Sequence, residues 1–528
     1  MRKLNLFILG TFFSSVCFSF STSPQTGFPV NLSNSKLIRA GSSTIENIMG
    51  DSKPEIIVGD SGGMVYAVNS TGSELWRYNT GTASIESKPA VADLDGNGTK
   101  EIIVSSGSTF TAAAVGSLTV LNNNGTFKCN YTPQPFSPQG ALGVFSSPAV
   151  ANLDSDPELE IVIGDWGANI LVLNHDCSIL WRSQQAPAVT GVQLPPGFNE
   201  QVAPHKVYVN DTIWSSPAIA DMNKDGQLDI IIGVDSHIDD NNITIDGGRI
   251  LVINGHNGTV QTAIDIDEVI WSSPAIADIN NDGNLDIIVG TGYCWQNPPC
   301  VPANISHAVD NKIYAYNLNG TPIAGWPFDL GDFATVTSSP AIADIDGDGS
   351  LEVIVHAFLI GSGPPEVGKV IVLNSNGTPK WQRRPNVPNF CDPNGCTFIE
   401  YAAKNASPIV VDMTGDGELD VILPSNFDIV IWDKNGTQLL PLPPPGVRML
   451  TSFTISSTPN IADLDQDGDY ELIATGSNAF TNPALPASIY VWDIDAATST
   501  FLPWRSFRNG PKNNGLFLAD EIFENGFE

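Results

Sequence analysis

Oxygen-bearing side chains alternate in "DINNDGNLD", where Asp278, Asn280, Asp282, Asn284 and Asp286 stand at positions 1, 3, 5, 7 and 9, with Gly283 at position 6. Oxygens spaced this way on a tight loop can converge on a hard cation. Calcium takes about six to eight such ligands, position 7 usually offers its backbone carbonyl, and glycine permits the sharp bend. The same spacing returns in Asp93, Asp95, Asn97, Thr99 and Glu101; in Asn152, Asp154, Asp156, Glu158 and Glu160; and in Asp221, Asn223, Asp225, Gln227 and Asp229. It returns again in Asp344, Asp346, Asp348, Ser350 and Glu352; in Asp412, Thr414, Asp416, Glu418 and Asp420; and in Asp463, Asp465, Asp467, Asp469 and Glu471. The third set has Pro157 where glycine is expected, and Thr414 removes a charge at position 3. Seven such turns predict about seven calcium ions with a structural role. An earlier copy, Asn47, Met49, Asp51 and Glu55, is expected to be metal-free or weak, because a thioether is a poor ligand for calcium.

Strands flank these turns. An EF-hand would close with Glu at position 12 between helices, whereas Asp286 runs directly into Ile287, Ile288 and Val289. The turn belongs to a longer repeat, of which "SSPAVANLDSDPELEIVIG" and "SSPAIADIDGDGSLEVIVH" are two copies. Counting the worn first one, eight copies begin their acidic turns at 47, 93, 152, 221, 278, 344, 412 and 463. Each reads as four strands: a short "PAIAD" strand a, a β-branched strand b after the acidic turn, strand c as in "GRILVIN", and strand d after a turn, as in "NGTPKW". Asn-Gly suits the hairpins at Asn124, Asn257, Asn319, Asn376 and Asn435, because both residues tolerate positive φ. Four-stranded units repeated without helical spacing predict an all-β fold, a β-propeller. Eight blades are favoured, and the alternative is seven blades with the first copy supplying strands that close the ring.

The net charge of −33 disfavours nucleic acid and anionic membrane surfaces as partners. Residues 1–21, with Arg2 and Lys3 ahead of an apolar run, read as a signal peptide, so the expected protein is secreted or displayed at the cell surface, with no membrane insertion after cleavage. The propeller is expected over 24–512 and a tail over 513–528. After the leader six cysteines remain, which predicts three disulfides: Cys294 with Cys300, Cys391 with Cys396, and Cys129 with Cys177.

The acidic turn between strands a and b resembles the FG-GAP repeats of integrin α-subunits, and more closely the related VCBS-type repeats of exported bacterial proteins. The resemblance spans nearly the whole chain after the leader and implies a calcium-bearing propeller. The Phe-Gly and Gly-Ala-Pro signatures are replaced here by "SSPA" and by lone glycines such as Gly233, so it implies the scaffold rather than an integrin-like ligand. The closing "LPWRSFRNGPKNNG" looks like the segment that ends many bacterial members.

Because strands alternate direction, the acidic turns and Asn-Gly turns share one face, and the insertions 183–212, 234–247, 291–311, 356–368 and 382–405 share the other. That second face is expected to bind a protein or glycan, making the protein a monomeric adhesion or binding module. The alternative is a carbohydrate-active enzyme, a polysaccharide lyase or hydrolase, on the same scaffold. No local catalytic motif surrounds His175, His205, His237, His256, His307 or His356, so no catalytic residue is assigned. Tyr293, Trp295 and His307 are where catalysis would be sought first. Trp214 and Trp271, at the start of strand a, are expected to pack in the core rather than stack on sugars.

Overall fold

The computed structural model describes residues 22–33, 35–38, 41–81, 84–107, 116–133, 143–166, 169–183, 207–210, 213–240, 243–266, 269–292, 311–331, 334–359, 368–384, 406–425, 428–439, 454–455, 457–477, 487–494 and 502–517. Among them are eight antiparallel sheets and no helix. Strand a has three buried residues in a representative blade, as in Ala90–Ala92 or Ala275–Ala277, and alanine lets neighbouring blades approach closely at the axis. Strand b is sandwiched between the sheets on either side. Residues Asp286–Gly290 are therefore buried on both faces, which explains their unbroken β-branched run. The outer strand Glu74–Asn79 alternates between half-buried and exposed, because one face covers the neighbouring blade and the other meets solvent. Innermost strands touch from blade to blade, and Asn460–Ala462 of blade 8 meets Thr44–Glu46 of blade 1. The molecule is an eight-bladed β-propeller.

The worn first copy builds a complete blade, Thr44–Glu46, Glu55–Gly59, Met64–Val68 and Glu74–Asn79, which sets aside the seven-bladed alternative. Closure comes from farther upstream. Thr22–Pro24 and Val30–Asn31 both pair antiparallel with Ser488–Ile494, so the chain's first strands complete its last blade. Apolar side chains fill the spaces between adjacent sheets, as where Ile57 and Val65 of blade 1 meet Val91 and Ile102 of blade 2.

The segment 234–247 is not a loop insertion but the far half of a ladder between Asp229–Asp240 and Ile243–Asn254. Val207–Asn210, from the predicted insertion 183–212, pairs with the same ladder. Abundant Asp and Gly hid the strand character of Ile243, Thr244 and Ile245, which is that of β-branched residues. Cys129 and Cys177 form the expected disulfide, with Cα atoms 5.9 Å apart, and it joins blades 2 and 3. The leader, the pairs Cys294–Cys300 and Cys391–Cys396, most of 291–311, 356–368 and 382–405, and the candidates Tyr293, Trp295 and His307 lie outside the described residues.

Candidate metal centres and the axial funnel

The acidic turns are built from a common set of backbone hydrogen bonds. The position-1 carboxylate accepts the N–H groups of positions 5 and 6, as Asp278 does from Asp282 at 3.0 Å and Gly283 at 2.7 Å. Asp93, Asp221 and Asp344 repeat this. Position 5 accepts from position 7, as Asp282 does from Asn284 at 2.8 Å. The position-9 carboxylate reaches back to the N–H of position 2: Glu101 to Leu94, Glu160 to Leu153, Asp229 to Met222, Asp286 to Ile279, Glu352 to Ile345, Asp420 to Met413 and Glu471 to Leu464. Each carboxylate thus commits an oxygen to shaping the turn. Gly283, at φ +85°, has open space beside it, so it is the backbone conformation rather than crowding that calls for glycine.

In blades 2, 3, 6 and 8 the remaining carboxylate oxygens converge, whereas the described acids of blades 4, 5 and 7 form no such three-carboxylate cluster. Carboxylate oxygens of Asp93, Asp95 and Glu101 lie within 4.8 Å of one another, as do those of Asp154, Asp156 and Glu160, of Asp344, Asp346 and Asp348, and of Asp463, Asp465 and Glu471. Several are buried without a hydrogen-bond partner: Oδ1 of Asp286, Asp346, Asp463 and Asp465, Oε1 of Glu471, and Oγ1 of Thr414. Position 7 mostly stays out of these clusters. Asn284 bonds Asp282, Gln227 bonds Asn254 and Glu418 pairs with Lys434, which suits a position whose carbonyl would be the ligand. Asp469 is the exception, lying with Asp467 and Glu471.

Burial pushes the position-9 acids Glu160, Asp229, Asp286, Glu352, Asp420 and Glu471 up, against the backbone N–H groups they accept. Asp229 reaches about 6, Glu160 and Asp286 about 7, and Asp420 and Glu471 about 8. A hard divalent cation fits this donor set, since it would satisfy the orphaned oxygens and stabilise the charged form. In blades 2 and 6 a lysine lies among the carboxylates. Burial pulls Lys128 and Lys380 down, yet hydrogen bonds to Asp95 with Glu101, and to Asp346 with Glu352, hold both ammonium groups above their ordinary value.

Three turns depart from the common form, one of them at Asp412, which accepts from Gly415 and Gly417 at positions 4 and 6. With Pro157 removing the position-6 N–H, Asn152 instead donates its amide to the Asp156 carbonyl at 2.5 Å. In the first copy Met49 is exposed, while Glu55 accepts from both Ile48 and Met49.

The sequence reading missed the role of the second serine in "SSPA". The N–H of Lys88 donates to Ser147 Oγ, that of Ser147 to Ser216, Ser216 to Ser273, Ser273 to Ser339, Ser339 to Ser407 and Ser407 to Thr458, at 2.8 to 3.2 Å. Seven blades are thus chained around the axis. Tryptophans in or just before strand d make a second link, with Trp76, Trp181, Trp326 and Trp381 each donating an indole N–H to a carbonyl in the next blade's c–d turn. Recurrence of Ser-Ser-Pro and of Trp was the available signal.

Residues 504–517 run along the axis, against the innermost strands. Val410 pairs with Trp504, Ile461 donates to Arg505, Val91 to Pro511, Val150 to Lys512, Ile219 to Asn514 and Ile276 to Gly515. Lys88, which replaces the second serine in its blade, is fully buried and donates to Ser506 Oγ, the Phe507 carbonyl and the Gly510 carbonyl at 2.7 to 3.0 Å. Arg508 is held by the carbonyls of Pro217 and Pro274.

Above this segment opens a funnel of about 70 Å³, its walls including Phe145, Trp214, Trp271 and Thr337, with Lys88 and Phe507 also lining it. Those four wall residues each precede a strand a whose other end carries an acidic turn, so the funnel opens on the opposite face. Trp214 and Trp271 stack on each other at 4.5 Å, and Phe145 meets Trp214 at 4.8 Å. Both indoles are half-buried rather than sunk in the core. Asp235 orients Trp271 by accepting its indole N–H at 3.1 Å. His175 is half-buried, His256 is exposed, and His356 is buried with Nδ1 3.3 Å from the Ala406 carbonyl.

No protein-family model matches the chain, and no curated protein matches it by sequence. Its fold does have solved counterparts. One is the biofilm matrix protein Bap1 of V. cholerae, at TM-score 0.53 and 14% identity, covering 92% of each chain. Another is a europium-containing methanol dehydrogenase, at TM-score 0.54 and 10% identity, covering 89% of this chain and 93% of that one. At these identities the likeness shows the propeller fold alone.

Proposed function

We propose that the chain is an exported, calcium-stabilised propeller of the FG-GAP kind, acting as an adhesion or binding module through the face opposite its acidic turns, with an extracellular glycan as ligand class. The observation that carries this reading is the funnel. Phe145, Trp214 and Trp271 line a concavity together with Phe507 of the axial segment, and half-buried aromatic rings beside polar hydroxyls suit a ligand with both apolar faces and hydroxyl edges. That Bap1 is a biofilm matrix protein agrees with an extracellular setting. Calcium would be held by the side chains at positions 1, 3, 5 and 9 and supply the positive charge that lets buried carboxylates stay ionised.

Two measurements test the two halves. A glycan array probed with the wild-type protein should give a signal that a Trp214→Ala, Trp271→Ala variant of unchanged melting temperature loses; no glycan signal, or one the variant retains, overturns the ligand assignment. Chelation with EDTA should lower the melting temperature, and readdition of millimolar calcium should restore it. An unchanged melt overturns the structural role of calcium.

A further inference from the structure

The acidic turns are alike in sequence, but the residue that strand d presents to them is not. Four residues after the Asn of each Asn-Gly turn stand Lys128 in blade 2 and Lys380 in blade 6, Gln261 in blade 4, Ile323 in blade 5 and Leu439 in blade 7. Lys128 Nζ lies 2.8 Å from Asp95 Oδ2 and 3.0 Å from Glu101 Oε1. Lys380 repeats the arrangement with Asp346 Oδ2 and, at 3.0 Å, Glu352 Oε1. The two glutamate oxygens so engaged belong to the same position-9 carboxylate that in blades 5 and 8 leaves Asp286 Oδ1 and Glu471 Oε1 buried without a partner. In blade 4 the corresponding Asp229 Oδ1 accepts from the Gln261 amide at 2.7 Å. Blade 8 takes its outer strand from the chain start, and there Gln25 donates to Asp465 at 2.8 Å.

We propose that Lys128 and Lys380 are built-in counter-ions that replace calcium in blades 2 and 6, so that these two blades are cation-independent while blades 5 and 8 require the metal. This rests on the calcium reading above. An ammonium group has three donors and no lone pair, so it cannot be a ligand, and its charge opposes a second cation among the same carboxylates. Both lysines are largely covered, with side chains 18% and 19% exposed, so the contacts are part of the blade rather than of a solvated rim. Glutamine differs, because its amide can turn to present an oxygen to a cation. The sequence motifs at Asp344 and Asp93 are therefore misleading as to occupancy, since the deciding residue lies on another strand.

The test is calcium stoichiometry, measured by equilibrium dialysis and elemental analysis on the full chain. Lys128→Met and Lys380→Met should each gain one bound calcium ion per chain over wild type, and the double variant two. Lys128→Arg and Lys380→Arg, which keep the charge, should gain none. In EDTA the Met variants should melt below wild type, with calcium restoring more of the loss than it gives wild type. A wild type that binds calcium, beside Met variants with no gain, overturns the lysine assignment. A wild type that binds none overturns the calcium reading itself. Should a Met variant fail to fold, Lys128→Gln and Lys380→Gln, which copy the Gln261 of blade 4, carry the same comparison.

Discussion

At Asp286 the fold buries a carboxylate, gives one oxygen a backbone N–H and leaves the other buried without a hydrogen-bond partner. Such a group is costly as an anion and well served by a cation, so replacement by an isosteric amide has opposite effects in the two conditions. Asp286→Asn should lower the melting temperature in millimolar calcium but raise or leave it unchanged in EDTA, since the Ile279 N–H still finds a carbonyl oxygen; a drop in both would show a purely structural carboxylate. His356 gives the pH dependence. Burial pushes it down to about 4, below its unfolded value near 6.5. A group with a depressed folded pKa and a neutral buried form loses stability as pH falls from about 6.5 towards 4, where only the unfolded chain takes up the proton. Relative to His356→Gln, wild type should therefore lose stability over that window, up to about 3 kcal/mol, as urea unfolding at stepped pH would show.

At the scale of elements, hydroxyl-to-amide bonds between adjacent strands a do for the axis what ladders do within a blade. Ser216→Ala leaves the buried N–H of Ser147 without its acceptor, which should cost about 1–3 kcal/mol. Surface serine substitutions should cost far less, and equal effects in chemical denaturation would deny the ring its role. Gly290 shows why blades fit so closely there. A Cβ at this position would lie 2.3 Å from Val336 Cγ1 of the next blade, so the bare backbone receives that side chain. The pairing of Val207–Asn210 with the long blade-4 ladder shows an insertion becoming sheet, an outcome set by a partner strand already in place.

For the whole molecule, the ring stays shut because its last sheet needs strands from its first residues. Deleting residues 22–31 removes the partner of Ser488–Ile494, exposes a flat apolar edge and should lower the melting temperature while promoting self-association, readable by light scattering; a monomer with a wild-type melt would show that closure lies elsewhere. Blade architecture and the acidic turns were legible in the chain because both are local. A period-two apolar run makes a strand wherever it sits, and alternate oxygens around a Gly make a turn from hydrogen bonds within nine residues. Blade number followed from counting copies. Tertiary structure alone decided which residue shares space with which turn. Lys128 lies 33 residues beyond Asp95, the serine ring joins amides and hydroxyls about 50 to 70 residues apart, and Gln25 reaches Asp465 across nearly the whole chain. Contacts of that span arise only once the ring has closed, so sequence determined what each blade is made of, and closure determined what it can hold.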